Sequence, residues 1–128
     1  GHGFVPEPIH AGGLRYHGMA PLVSHVYELG LVEAIAVSQL ECFKGAIKFA
    51  RSEGIVPAPE PTHAIAAAIR EALACKESGE DKTILTALCG HGHLDLASYD
   101  RYLRGEMRDL ALSDDVIKAA MLDVPEIA

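Results

Sequence analysis

The chain has 128 residues, of which 49% are hydrophobic, which suffices for one globular domain or one lobe of a larger protein. Eighteen acidic residues against eleven basic ones give a formal net charge of −7, which repels a phosphate backbone and argues against nucleic acid as a partner. Three widely spaced cysteines, no apolar stretch of bilayer length and no signal-peptide pattern at the N-terminus predict a cytoplasmic protein without a disulfide framework or a membrane anchor.

The first elements alternate between loop, helix and strand. Residues 1–20 are rich in proline and glycine, which predicts a long loop of the kind found inside a larger chain, so we expect a fragment. A helix is predicted from Pro21 to a cap at Gly30. Its apolar stripe consists of Leu22, Val23, Val26 and Leu29. The short stretch "LVEAIAVS" at 31–38 is partly β-branched and predicts a first strand.

Two longer helices are predicted next. Ser38 and Glu41 have capping-box spacing and predict a helix that ends at Gly54. Its apolar stripe consists of Phe43, Ala46, Ile47 and Ala50. After a proline-punctuated turn, Thr62 is the predicted cap of a helix over 63–78, whose alanines permit close packing.

The last third contains a second predicted strand and two short helices. "KTILTAL" at 82–88 predicts the strand, Asp95 the cap of a helix over 96–105, and Ser113 the cap of a C-terminal helix. Two strands joined by a helical crossover predict a parallel pair and an α/β fold. Two strands are too few for such a sheet, so the remaining strands are expected from elsewhere.

The loop "CGHGH" follows the second strand, where ligands bind in open parallel sheets. Cys89, His91 and His93 are three residue types that bind zinc, although a closed site needs a fourth ligand. Cys89 beside His91 also fits a nucleophilic thiol. Alternatively, the glycines form a tight turn and the histidines lie at the surface. Composition alone leaves these interpretations open.

Three ordered runs carry a resemblance to a known family: "PIHAGGLRYHGMAPLVS", "FARSEGIVPAPEPTHAI" and "CGHGHLDLASYDRYL". They resemble the C-terminal part of the tryptophan synthase β chain, in particular its second, divergent type. The resemblance implies part of a three-layer α/β/α fold of two domains that hold pyridoxal phosphate between them. It also implies an interface loop at 1–20, an α/β portion at 21–110 and a C-terminal helix at 111–128.

The resemblance assigns three site residues. Cys89 takes the place of the family's serine beside the pyridine nitrogen, where its thiol is a weaker but still neutral partner. Gly90 lets the backbone approach the ring of the cofactor. Glu53, in "SEGIVPA", lies by analogy near the cofactor and the indole site and is the expected catalytic residue. No metal is expected.

Further residues match the family without an assigned role. His63 is expected to pack at the start of its helix, and Arg15, Tyr16 and His17 occupy a loop that lines the domain interface in relatives. The lysine that binds the cofactor and the glycine-rich phosphate loop of the family have no counterpart here, because the chain's lysines lie in helical or polar turn contexts. These lysines are Lys44, Lys48, Lys76, Lys82 and Lys118.

Two functional hypotheses result. In the first, the chain is the C-terminal segment of a pyridoxal phosphate lyase that makes tryptophan from serine and indole, and is inactive alone. Its expected partners are the N-terminal part of the same enzyme, further copies of it, and a tryptophan synthase α subunit. In the second, it is a free-standing α/β binding domain that holds a metal through His91 and His93.

Overall fold

A computed structural model of the chain describes residues 19–110 and 113–122, which contain five helices. The helices are α1 (Pro21–Glu28), α2 (Gln39–Glu53), α3 (Pro61–Ser78), α4 (Leu96–Leu103) and α5 (Asp114–Met121). Residues Val37–Asp109 form one compact unit, which we call the central unit and which holds α2, α3 and α4. Helices α1 and α5 belong to a second unit. None of the described helices is long and apolar enough to cross a bilayer.

Helices α2 and α3 pack against each other because small residues face each other along their contact. Gly45 of α2 is buried, and a Cβ built on it would lie 3.6 Å from Cδ1 of Ile69 and 3.7 Å from Cα of Ala66. A bidentate ion pair joins the same two helices, since Arg70 donates from Nε and Nη2 to the two oxygens of Glu41 at 2.6 and 2.5 Å. Close backbone approach and a charge-assisted pair therefore fix the helices relative to each other.

The core of the central unit lies where α4 meets α2. Phe43 and Ala46 of α2 are almost fully buried, together with Tyr99 of α4 and Met107. The rings of Phe43 and Tyr99 meet edge to face with centroids 5.1 Å apart, and Tyr102 stacks on Phe43 at 5.6 Å. Such aromatic pairs prefer these arrangements because of the ring quadrupoles. The predicted apolar stripe of α2 is therefore confirmed.

The structure confirms the predicted end of α2 at Gly54 and the predicted cap of α5 at Ser113, but not a side-chain cap at Ser38. Gly54 ends α2 with a positive φ of 71°, and the Ser113 hydroxyl accepts a bond from the Val116 amide at 3.4 Å. Ser38 stands at the predicted start of α2 but makes no side-chain cap bond. Asp109 caps that helix instead, because its carboxylate accepts a hydrogen bond from the Leu40 amide at 2.9 Å.

The predicted cap at Thr62 is wrong. Helix α3 begins at Pro61, two residues before the predicted first helical residue, and Glu60 is the residue before its first turn. The Thr62 hydroxyl is fully buried and donates to the Pro59 carbonyl at 2.5 Å. Proline suits the first position of a helix because its missing amide hydrogen would have no partner there, and this preference outweighs the threonine signal.

The two predicted strands are not formed in the described residues. Residues 31–38 contain only bends and irregular chain before α2, and residues 82–88 are irregular and exposed. Leu31, Ile35 and Leu85 expose 71%, 60% and 95% of their surface. A strand exists only by pairing with another, and neither segment has a partner strand within the described residues. The prediction of two strands is therefore wrong for residues 31–38 and 82–88 as the structure describes them.

Candidate functional site

Two sequence motifs that lie far apart in the chain meet in the central unit. Residues 56–58, from "SEGIVPA", run antiparallel to residues 90–92, from "CGHGH", as an isolated bridge that pairs Pro57 with His91. The Ala58 amide donates to the Gly90 carbonyl at 2.9 Å, and the Gly92 amide donates to the Val56 carbonyl at 2.7 Å. Both motifs were expected to contribute to one site, and the structure brings them into contact. We call this pairing of 56–58 with 90–92 the loop bridge.

The loop bridge requires glycine at positions 90 and 92, because the facing segment leaves no room for a Cβ atom there. A Cβ at Gly92 would overlap the carbonyl oxygen of Pro57 and approach Cγ1 of Val56 to 2.9 Å. A Cβ at Gly90 would lie 2.9 Å from Cβ of Ala58. The resemblance explained Gly90 by the approach of a cofactor ring, whereas the structure gives a second reason, which is the close contact between the two loops. The cofactor contact of Gly90 stays a prediction.

Tyr99 belongs to the hydrophobic core and connects it to the loop bridge by a hydrogen bond. Its hydroxyl donates to the Pro57 carbonyl at 2.5 Å, and both residues are buried. Burial, with a smaller contribution from the nearby Asp95 carboxylate, raises the pKa of Tyr99 to about 12, so the phenol stays protonated and remains a donor. Sequence reasoning missed Tyr99. The only available signal was its place on the apolar side of the predicted fourth helix.

The predicted site residues Cys89 and Glu53 both face solvent. Cys89 precedes the loop bridge and is exposed. Glu53 is the last residue of α2, three residues before the segment that forms the bridge, and it too is exposed. Beside Glu53 lies a mostly apolar pocket of about 340 Å³, which also involves Phe49, Ile84 and Thr86. The carboxylate at the end of α2 therefore lines the same pocket as Ile84 and Thr86, which belong to the irregular segment that leads into Cys89.

The histidines of the loop do not form a metal centre. The rings of His91 and His93 lie 4.7 Å apart, and Nδ1 of His91 accepts a hydrogen bond from the His93 amide at 3.3 Å. In the described part of the chain, no three histidine, cysteine or acidic side chains are grouped so that they could hold a metal ion. Two exposed imidazoles without a third ligand do not make a stable site. The metal-binding alternative is therefore not supported.

The remaining sequence-predicted residues have local roles or lie outside the described chain. Nδ1 of His63 lies 3.2 Å from the carbonyl oxygens of both Pro59 and Glu60, so the ring serves the turn before α3 as expected. Arg15, Tyr16 and His17 lie outside the described residues, as does most of the predicted interface loop.

The buried contact between Cys42 and Thr62, next to the turn before α3, was also not predicted from the sequence. Cys42 of α2 is 1% exposed, and burial raises the pKa of its thiol to about 11, while a hydrogen bond with Thr62 opposes that rise. Since a protonated thiol is a poor nucleophile, Cys42 has a packing role. It supports the turn from which the "SEGIVPA" segment passes into α3.

Comparison with known proteins gives a consistent result. No family model matches the chain. It is 64% identical over 109 residues to tryptophan synthase beta chain 2 of Aquifex aeolicus and 59% identical over 107 residues to that of Methanosarcina acetivorans. It is 51% identical over 109 residues to the tryptophan synthase beta chain of Pyrococcus horikoshii. These matches cover 84–85% of this chain but only 24–25% of each relative, so the chain spans about a quarter of their length.

Proposed function

We propose that this chain, a homologue of about one quarter of the tryptophan synthase beta chain, supplies one wall of a pyridoxal phosphate site in a lyase that joins serine and indole. The observation that carries the proposal is the loop bridge. It unites the segment after Glu53 with the loop after Cys89, which are the two motifs that the resemblance assigns to one site. Identities of 51–64% to named relatives support the same assignment.

The complete fold is proposed to be the three-layer α/β/α arrangement of the pyridoxal phosphate lyases. The exposed apolar residues of 31–38 and 82–88 support this view, because they match the pattern of strands buried between helices. In the complete protein, neighbouring strands would cover Leu31, Ile35 and Leu85. The helices α2 and α3 would then form part of one outer layer.

The residues on the loop fit a flat, neutral heteroaromatic ring. Cys89 presents an exposed thiol, which is an uncharged hydrogen-bonding partner for a ring nitrogen. The loop itself contains no lysine to bind an aldehyde and no phosphate-binding run of glycines, so those parts must come from other residues. When bound, pyridoxal phosphate would supply an electron sink for the carbanion formed from the amino-acid substrate. Cys89 would keep the ring nitrogen unprotonated, and Gly90 would line the ring edge.

Glu53 is the proposed catalytic residue of this segment. Its carboxylate stands at the end of α2 beside an apolar pocket of about 340 Å³. A carboxylate in that position can accept a proton from an aromatic N–H nucleophile and stabilise positive charge that develops on it. The apolar lining from Phe49, Ile65 and Ile84 would exclude water from the same region.

Partners and location follow from the same proposal. The rest of the polypeptide would supply the missing strands, and further copies of the enzyme and a tryptophan synthase α subunit are the proposed protein partners. A biosynthetic enzyme of this class works in the cytoplasm, which is the proposed location.

The test uses the full-length protein, with pyridoxal phosphate, serine and indole as reagents. We expect stoichiometric cofactor after gel filtration and formation of tryptophan. Glu53→Gln should lower kcat by about 10²–10⁴-fold if the carboxylate handles a proton. Glu71→Gln, an exposed carboxylate on α3, is the matched control and should leave kcat unchanged. Full activity of Glu53→Gln would contradict the role of Glu53, and a protein without bound cofactor would contradict the whole proposal.

A further inference from the structure

The buried carbonyl oxygen of Pro57 takes no part in the hydrogen bonds between the two segments of the loop bridge. Pro57 and His91 are flanked by hydrogen bonds from Ala58 to Gly90 and from Gly92 to Val56, so the pair itself exchanges none. Proline fits this position because it has no amide hydrogen to lose. Its carbonyl oxygen, however, lies in a residue that is less than 2% exposed and needs a donor.

Tyr99 is the donor, and it is itself held rigidly. Its ring packs edge to face on Phe43 in the core, and its hydroxyl reaches the Pro57 carbonyl at 2.5 Å. The helix that carries it starts directly after the "CGHGH" loop, since the Asp95 amide donates to the Gly92 carbonyl at 2.9 Å and Leu96 is the first helical residue. The Tyr99 side chain therefore connects α4, which begins where the "CGHGH" loop ends, to Pro57 in the middle of the other segment.

We infer that Tyr99 is a positioning residue whose hydroxyl fixes the register of the two site loops, and thereby the place of Cys89 relative to Glu53. It touches neither reacting group. The inference on the loops rests on the geometry of the loop bridge, and its consequence for cofactor binding rests on the proposed function. A phenylalanine at this position would keep the contact with Phe43 but leave the Pro57 carbonyl without its donor.

The experiment compares Tyr99→Phe with Tyr102→Phe in the full-length protein. Tyr102 lies on the same helix and stacks on the same Phe43 ring, and its hydroxyl makes no hydrogen bond with the described residues, so it is a matched control. Hydrogen exchange followed by mass spectrometry reports on peptides that contain the amides of Ala58 and Gly92. Loss of the tyrosine hydroxyl should accelerate exchange of these two amides about tenfold in Tyr99→Phe and leave it unchanged in Tyr102→Phe. Equal exchange in both variants would overturn the inference.

A second measurement tests whether the register reaches the cofactor. Retention of pyridoxal phosphate can be followed by its absorbance during dialysis. Tyr99→Phe should bind the cofactor several-fold more weakly than Tyr102→Phe. Equal retention by the two variants would overturn the link to the cofactor. A wild-type protein that retains no pyridoxal phosphate would instead contradict the proposed function, and the exchange comparison would still decide whether Tyr99 holds the loops.

Discussion

The amide of Gly92 donates a hydrogen bond to the carbonyl of Val56 at 2.7 Å and joins two loops that are distant in the chain. The contact requires the two backbones to approach more closely than a side chain on residue 92 permits, since a Cβ there would overlap the Pro57 carbonyl. Backbone atoms cannot move aside as the end of a flexible side chain can. The closeness of the loops therefore depends directly on glycine at this position.

Gly92→Ala should consequently destabilise the protein. Because the added methyl meets backbone rather than a flexible side chain, we expect a loss of about 1–3 kcal/mol in the free energy of unfolding. Urea denaturation followed by circular dichroism measures it. The variant should also accelerate hydrogen exchange at the Ala58 amide, which donates across the loop bridge. An unchanged midpoint would show that the loops separate without cost.

Gly45→Ala should have the opposite effect. Its new Cβ would make ordinary contacts of 3.6–3.7 Å with Ile69 and Ala66, and alanine is the better helix former inside α2. We expect a gain of about 0.5–1 kcal/mol in the free energy of unfolding, measured in the same urea series. A loss of stability in the alanine variant would contradict this account.

Stability should depend on pH through Glu41. Its hydrogen bond with Arg70 holds the pKa of the carboxyl below its ordinary value of 4.5, so folding favours the ionised form. The pair therefore stabilises the protein above about pH 4.5, and that contribution is lost as the pH falls through the lower pKa of the folded state. Glu41→Gln should lower Tm by a few degrees at most at pH 7, because the pair is partly exposed, and the difference should vanish at low pH. Glu71→Gln is the control, and a difference that persists at pH 2 would contradict the ion-pair explanation.

The three thiols should react in the order of their exposure. Cys89 is exposed, Cys75 is partly buried, and Cys42 is buried with its pKa raised to about 11. Iodoacetamide should modify Cys89 first and Cys42 only after unfolding, as peptide mass spectrometry would show. In the full-length protein, added pyridoxal phosphate should slow modification of Cys89 and leave the rate at Cys75 unchanged. Equal rates at Cys89 with and without the cofactor would contradict its place beside the ring.

Substitutions at Cys89 separate a neutral ring partner from a charged one. Cys89→Ser in the full-length protein should retain activity, since either side chain is a neutral partner of the ring nitrogen. Cys89→Asp should favour a protonated ring and alter the products formed from serine, because a carboxylate stabilises the pyridinium form. Product analysis by liquid chromatography distinguishes the two. Identical products from the serine and aspartate variants would place Cys89 away from the nitrogen.

Local signals in the sequence predicted local structure well. Gly54 ends its helix because glycine adopts a positive φ without strain, and Ser113 caps α5 because its hydroxyl needs only the amide three residues later. Both features depend on a few consecutive residues. Ser38 makes no side-chain cap bond, because Asp109, distant in the chain, accepts from the Leu40 amide at the start of α2 and Glu41 is bound to Arg70 rather than to its own helix.

For a similar reason, only part of the candidate site could be predicted from the sequence. The motifs around Glu53 and Cys89 were recognisable in the sequence, but their pairing through Val56 and Gly92 depends on how α2 and α4 pack. Tyr99 gave no signal of its role, because a tyrosine on an apolar helix face has the pattern of any core residue. The strands predicted at 31–38 and 82–88 do not form in the described residues, because the pairing of a strand depends on residues outside its own segment.

Pro57 also limits where the sheet-like pairing can spread. Because proline has no amide hydrogen, the edge of this segment that faces away from residues 90–92 lacks an amide donor at Pro57. The acceptor of Pro57 on that side is already occupied by Tyr99. A passing extended chain would find neither donor nor free acceptor at Pro57, and the segment is thereby guarded against edge-to-edge aggregation.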